Sequence, residues 1–248
     1  MRVAAWRVAF LAGVLAAWEA VARPLDPVLY VAPSTLPGAF VRLLRDPLLP
    51  PLGEHLAITL QTVAAAYALA VAAGLGLGFA MGFWRVLARA YEPVVAGLYA
   101  VPSVVWYPSL MLLFGLGTAS KVAFGFLLGF FPIVLAVLAG VQQVDPHLVT
   151  VARAMGAGRW TIYWKVLLPA MAGTLASGLR SGLALCTVGV LAGELLGSRA
   201  GVGFMINHVY NLLRTPEYVA LAALMAAVAL VVDAAAGRVE ARVRRWSE

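Results

Sequence analysis

The chain has 248 residues, of which 63% are hydrophobic and 12% charged, against about 25% charged in ordinary soluble domains. So few polar side chains exclude a water-coated globular domain, the hydrophobicity excludes disorder, and the single Cys186 excludes a disulfide framework or a Cys-rich metal site. In a chain of mean hydropathy +0.92, the formal charge of +7 fits basic loops beside a bilayer better than it fits nucleic acid.

A helix crossing roughly 30 Å of hydrocarbon takes about 20 mostly apolar residues. Such stretches predict an all-α membrane protein with about six transmembrane helices, at 4–22, 56–83, 93–115, 121–142, 173–196 and 217–236. The first has a second reading. Arg2 and Arg7, an apolar run and Ala20-Val21-Ala22 also have the pattern of a secretory signal. Glu19 and Arg23 flank that cleavage point awkwardly, so a retained anchor is expected. Residues 23–55, with prolines at 24, 27, 33, 37, 47, 50 and 51, predict an external loop with one short helix near Pro37–Arg45. Gly74, Gly78 and Gly82 recur at helical spacing, as do Gly189, Gly193 and Gly197, with Gly125/Gly129 and Gly178/Gly182 as further pairs. Such stripes let helix backbones approach closely; they also suit helices that slide or rock.

Lys and Arg concentrate on the cytoplasmic side of membrane proteins. With the N-terminus inside, Arg2, Arg7, Arg85, Arg89, Arg153, Arg159, Lys165, Arg238, Arg242, Arg244 and Arg245 face the cytoplasm. Only Arg23, Arg42, Arg45, Lys121, Arg199 and Arg214 fall outside. Both termini are therefore expected in the cytoplasm, with Arg242, Arg244, Arg245 and Trp246 as an interfacial anchor. The expected organisation is a first helix and Pro-rich segment over 1–55, a core over 56–236, and a basic tail over 237–248.

No catalytic set is evident. His55, His147 and His208 are scattered, and no G-x-S-x-G elbow exists. Lys121 and Lys165 follow Ser120 and Trp164, so neither belongs to a G-x-x-x-x-G-K-[ST] phosphate loop. The chain is expected to be no enzyme and to hold no metal, cofactor or ATP of its own.

The loop 143–172 is too polar to cross a membrane and too patterned to be a plain linker. Asp145-Pro146 is a helix start. Leu148, Val151, Ala152 and Met155 then share one face, and Gly156 and Gly158 supply a turn. A second helix is expected from Arg159 to Leu168, interrupted at Pro169, with Trp160, Tyr163, Trp164 and Leu167 on one face. The pattern reads either as an amphipathic hairpin lying on the bilayer or as a helix that docks into a partner's groove.

These residues carry a resemblance. Thr150-Val151-Ala152-Arg153-Ala154-Met155-Gly156, nine residues, then Val166-Leu167-Leu168-Pro169 resembles the "EAA" motif of ABC importer permeases, E-A-A-x₃-G-x₉-I-x-L-P. Ala152, Gly156, Leu168 and Pro169 match, Val166 is conservative, and Thr150 and Val151 replace the leading Glu and Ala. Further segments fit in order: Ala32-Pro33-Ser34, His55 to Leu60, Val101-Pro102-Ser103 with Trp106-Tyr107-Pro108, and Phe114 to Gly117 with Ser120-Lys121. Phe130-Phe131-Pro132, Gly178-Leu179-Arg180, Gly193-Glu194 and Gly201-Val202-Gly203 complete the set. Together they resemble the permeases for nitrate, sulfonate, taurine, bicarbonate and related solutes.

The resemblance implies the type I, EAA-loop permease fold in a bacterial inner membrane. It implies two cytosolic ATPase subunits carrying the ATP and Mg, a second permease subunit (a homodimer being simplest), and an extracytoplasmic solute-binding protein. Residues 146–156 would be the coupling helix, with Arg159 and Trp160 in the same loop. Ser103, Trp106 and Tyr107, between Pro102 and Pro108, mark irregular helix of the kind that lines cavities. They read as pathway residues or as ordinary packing. Arg180 reads as a snorkelling cation or an anion attractor, and Glu194, roughly 21 Å further along a straight helix, as a hydrogen-bonded acid, a gate or a subunit contact. A secondary transporter is the alternative, though its usual inverted repeats and midplane charges are not evident.

Overall fold

The structure is a computed structural model that describes the backbone of residues 2–26, 29–47 and 49–247, and the side chains of 6–26, 29–47, 49–84 and 86–243. Pro27 and the side chains of Arg2, Arg85 and the anchor residues Arg244, Arg245 and Trp246 lie outside the described residues.

Among the described residues every regular element is helical. They are α1 (Arg2–Ala22), α2 (Leu36–Arg45), α3 (Leu52–Phe83), α4 (Arg85–Ala100), α5 (Tyr107–Phe114), α6 (Thr118–Gln143), α7 (Pro146–Ala154), α8 (Arg159–Ile162), α9 (Leu168–Ala170), α10 (Ala172–Gly197), α11 (Val202–Asn211) and α12 (Thr215–Ser247). Tight 3₁₀ turns cover Pro33–Thr35 and Ser103–Trp106, and a wider π turn covers Tyr163–Leu167.

Four stretches of the described residues are long and apolar enough to cross a membrane: Leu52–Phe83, Thr118–Gln143, Ala172–Asn211 and Thr215–Val243. A fifth arises if the bent pair Val86–Ala100 and Ser103–Phe114 counts as one. The chain is thus an all-α, multi-span membrane protein, but the expected six spans are not reached among the described residues. The span expected over 93–115, irregular between Pro102 and Pro108, is corrected to two helices that bend by 89°. Pro102 is the physical reason. It lacks an N–H and drives the preceding residue out of helical conformation, and Val101 is extended at ψ 130°. Pro108, in the first turn of α5, is tolerated where the N–H would be unpaired anyway.

The chain divides into two compact units, Met1–Ile58 with Ala200–Val228 and Thr59–Arg199 with Ala229–Glu248. In the first, polar side chains tie the Pro-rich segment down. The Ser34 N–H and Oγ both donate to the Glu19 carboxylate, at 3.0 and 2.7 Å. Arg42 Nε donates to Glu217 at 2.7 Å, and Arg214 pairs with Asp46. The Gly201 N–H donates to His55 Nδ1 at 2.9 Å, and the His55 ring stacks on Phe204.

In the second unit α6 and α10 pack along one another. The glycine stripes explain why they approach so closely. A methyl placed on Gly189 would lie 2.9 Å from Gly125 Cα, and one on Gly125 would lie 2.7 Å from Val190 Cγ2. The stripe on α3 does the same against α6, where a methyl on Gly74 or Gly78 would meet Ile133 or Val137 at 2.9 or 2.7 Å. Around these contacts lie buried clusters of Ala70, Ile133 and Cys186, of Val63, Ala66 and Val190, and of Met81, Val95, Phe131, Val134 and Leu138.

Candidate functional site

The sharpest local architecture lies in the hairpin after α6. The Asp145 carboxylate accepts the His147 N–H at 2.8 Å, and Pro146 occupies the first turn, so α7 starts where the sequence predicts. Its end is equally defined. The Ala157 N–H donates to the Ala152 carbonyl at 3.0 Å and the Gly156 N–H to the Arg153 carbonyl at 2.9 Å. That paired closure needs a left-handed residue between helix and turn, and Gly156 supplies it at φ +79°. Thr150, Arg153 and Ala154 are exposed, and Thr150 Oγ1 donates back to the Pro146 carbonyl.

The apolar face of α7 is open. Leu148, Val151 and Met155 are 48%, 58% and 83% exposed. With Ala152 they line one side of a groove of about 510 Å³, and Lys165, Val166, Pro169 and Ala170 line the other. Leu168, the remaining residue of the motif, is half-buried in the short α9. Both halves of the sequence motif therefore meet in space around one groove.

The return limb differs from the continuous helix expected over 159–168. It is helical for only four residues, then widens into the π turn over Tyr163–Leu167. A π turn holds one extra residue, which splits the expected aromatic face. Tyr163 turns inward and is 4% exposed, while Trp160 and Trp164 stay 62% and 50% exposed. Tyr163 packs edge-on against Phe79, at 5.9 Å between ring centroids, and Phe83, at 5.7 Å. Its hydroxyl is buried without a hydrogen-bond partner among the described residues, and burial pushes the phenol pKa up to about 12. Trp160 lies 4.7 Å from Phe83, and Arg159 sits 4.8 Å above the same ring while donating to the Phe83 carbonyl at 3.0 Å.

The residues expected near a pathway fall into two groups. Tyr107 and Glu194 come together around the α4–α5 bend. Tyr107 is fully buried, and its hydroxyl donates to the Gly193 carbonyl at 2.6 Å. Glu194, 2% exposed, accepts from Thr59 Oγ1 at 2.9 Å on both carboxylate oxygens. Buried Lys121 donates to the carbonyls of Leu116 and Gly117 in the turn between α5 and α6. Ser103 is half-buried and Trp106 is 39% exposed on the 3₁₀ turn at the bend.

Arg180 stands apart from that group. It is held by Asp233 at 2.6 Å and Glu240 at 3.0 Å, so its charge is offset by two acids of α12. Sequence reading missed these partners, along with Phe79 and Phe83, and gave Thr59 and Lys121 only as members of the resembling segments. The usable signal was Asp233 at the edge of an apolar run, since an acid there needs a cation. Among the described residues no group of three or more His, Cys, Asp or Glu could hold a metal ion.

Residues 57–245 match the family described as binding-protein-dependent transport system inner membrane component. The chain is 30% identical over 195 residues to the taurine transport system permease protein TauC of Escherichia coli K12, covering 79% of this chain and 71% of that one. It is 35% identical over 162 residues to the riboflavin transport system permease protein RibX of Chloroflexus aurantiacus, covering 65% of this chain and 60% of that one. A solved structure of the MetNI methionine ABC transporter in an inward-facing conformation shares the fold at TM-score 0.67. The two are 20% identical, covering 77% of this chain and 95% of that one.

Proposed function

This chain belongs to the binding-protein-dependent transport system inner membrane component family, and from that premise we propose how it is driven, assembled and supplied. It is a permease subunit of an ABC importer that translocates a small solute. The fold implies an ATPase and a binding protein as partners. We place the hairpin in the cytoplasm, both termini with it, and α1 in the bilayer as a sixth span. The complex then has two copies of this chain, two ATPase subunits holding ATP and Mg, and one binding protein outside.

The observation that supports this reading is the unpartnered apolar face of α7, fixed at one end by Asp145 and at the other by Gly156. A short, stiff helix with its greasy side open is suited to a groove on a partner. Thr150 to Gly156 form the docking unit, while Arg159 and Trp160 seat the return limb on Phe83. Val166, Leu168 and Pro169 build the limb that returns to α10. When the ATPase dimer closes on ATP, movement of this lever rocks the spans between outward-open and inward-open states.

The pathway runs past the bend between α4 and α5. Ser103 and Trp106 face it, because backbone at a broken helix is stable in a membrane only beside protein or a water-filled cavity. Tyr107 and Glu194 hold its wall, and Arg180 holds α12 against α10. For solute we propose a small sulfonate such as taurine, or a related compound of the nitrate and sulfonate group. Uptake of labelled taurine and nitrate by cells carrying the full system tests this. Uptake of neither would contradict the solute and leave the permease role standing.

A further inference from the structure

We propose that the ATP-driven stroke of the hairpin is delivered to α3 through a cage built by Arg159, Trp160 and Tyr163 around Phe79 and Phe83. The inference rests on the docking role of α7 given above. The chain ties α7 covalently to α6 at one end and, through α9, to α10 at the other. The chain joins α3 to α6 only by way of the bent α4–α5 pair, so the shortest route from the hairpin to α3 is by side-chain contact.

Those contacts are concentrated on the last turn of α3. Arg159 Nη2 donates at 3.0 Å to the carbonyl of Phe83, the final residue of α3. That carbonyl has no partner within its own helix and sits at the negative end of the helix dipole. The same guanidinium lies 4.8 Å over the Phe83 ring, a favourable cation–π distance. Trp160 covers Phe83 at 4.7 Å, Tyr163 meets Phe83 and Phe79 edge-on, and Trp164 meets Phe79 at 6.3 Å. Phe79 and Phe83 lie one helical turn apart on one face. The hairpin thus grips α3 by a hydrogen bond, a cation and three rings.

The π turn belongs to this device. It turns Tyr163 inward between Phe79 and Phe83 while leaving Trp164 able to reach Phe79. Gly82 lets α3 approach α6 beside the cage: a methyl there would lie 3.0 Å from Val141. Arg159, Phe83 and Tyr163 are positioning residues and touch no solute.

The test uses the full chain purified with its ATPase subunit, in a Cys186→Ala background. One reporter cysteine, Ala73→Cys, sits on α3, and another, Thr150→Cys, on α7. Maleimide labelling is followed with and without ATP and vanadate. In the parent, labelling at position 73 should change by about threefold or more, and position 150 should be shielded by the ATPase. In Arg159→Gln and in Phe83→Leu, which keeps an apolar side chain, position 150 should stay shielded while position 73 loses most of its response. Arg159→Lys should recover part of it. A full response at position 73 in both variants, with position 150 shielded, overturns the relay and leaves docking intact. No shielding of position 150 in the parent overturns docking, and the relay with it.

Discussion

At Tyr163 a phenol is buried with its hydroxyl unpaired, so the ring is wanted there and the oxygen is a cost. Removing a buried unsatisfied hydroxyl is neutral or stabilising by up to about 1 kcal/mol. Tyr163→Phe should therefore hold or raise the melting temperature and leave α3 movement unchanged. The sign of the pH effect follows. The folded phenol has its pKa raised from 10.0 to about 12, so its contribution is constant below pH 10 and is lost as pH rises toward 12. A thermal-melting series should show a smaller alkaline loss in Tyr163→Phe than in the parent. Glu194 is the reverse case, a buried acid bonded to Thr59 on both oxygens. Thr59→Val removes a buried hydrogen bond to the Glu194 carboxyl and should cost about 1–3 kcal/mol. Glu194→Gln keeps one acceptor and should cost less, with uptake near the parent rate; a collapse of uptake in a stable protein would make Glu194 part of the pathway.

At the scale of elements, the hairpin shows what local sequence can and cannot say. The limits of α7 were legible because Asp145, Pro146 and Gly156 act within a turn of the backbone they control. The π turn was not, because it is set by Tyr163 packing onto Phe79 and Phe83, far away in sequence. The same contrast holds for the bend. Pro102 announced a broken helix, but neither the 89° angle nor the bond from Tyr107 to Gly193 of α10 could be read from local sequence. Two substitutions separate the lever from the fold. Gly156→Pro demands a negative φ where +79° is used and removes an N–H that bonds the Arg153 carbonyl. Ala152→Asp puts a charge on the groove wall. Each should lower ATP-driven uptake by about tenfold or more, equivalent to about 1.4 kcal/mol of lost coupling, while membrane insertion stays at the parent level. Parent uptake in both would contradict the role given to α7.

For the whole molecule, composition alone established a helical membrane protein, and the glycine stripes located the close packing of α3, α6 and α10. Composition could not say which charges pair: Arg180 meets Asp233 and Glu240 only because α10 and α12 lie side by side. Nor could it find an energy source, which the function proposed above places on a separate chain. The most direct test is purification of the tagged chain from membranes in which the ATPase is co-expressed. The ATPase should be retained by the parent and lost from Ala152→Asp, and ATP hydrolysis by the purified complex should drive uptake only in the parent. A parent chain that purifies without an ATPase, or that moves its solute with no ATP present, would contradict the account.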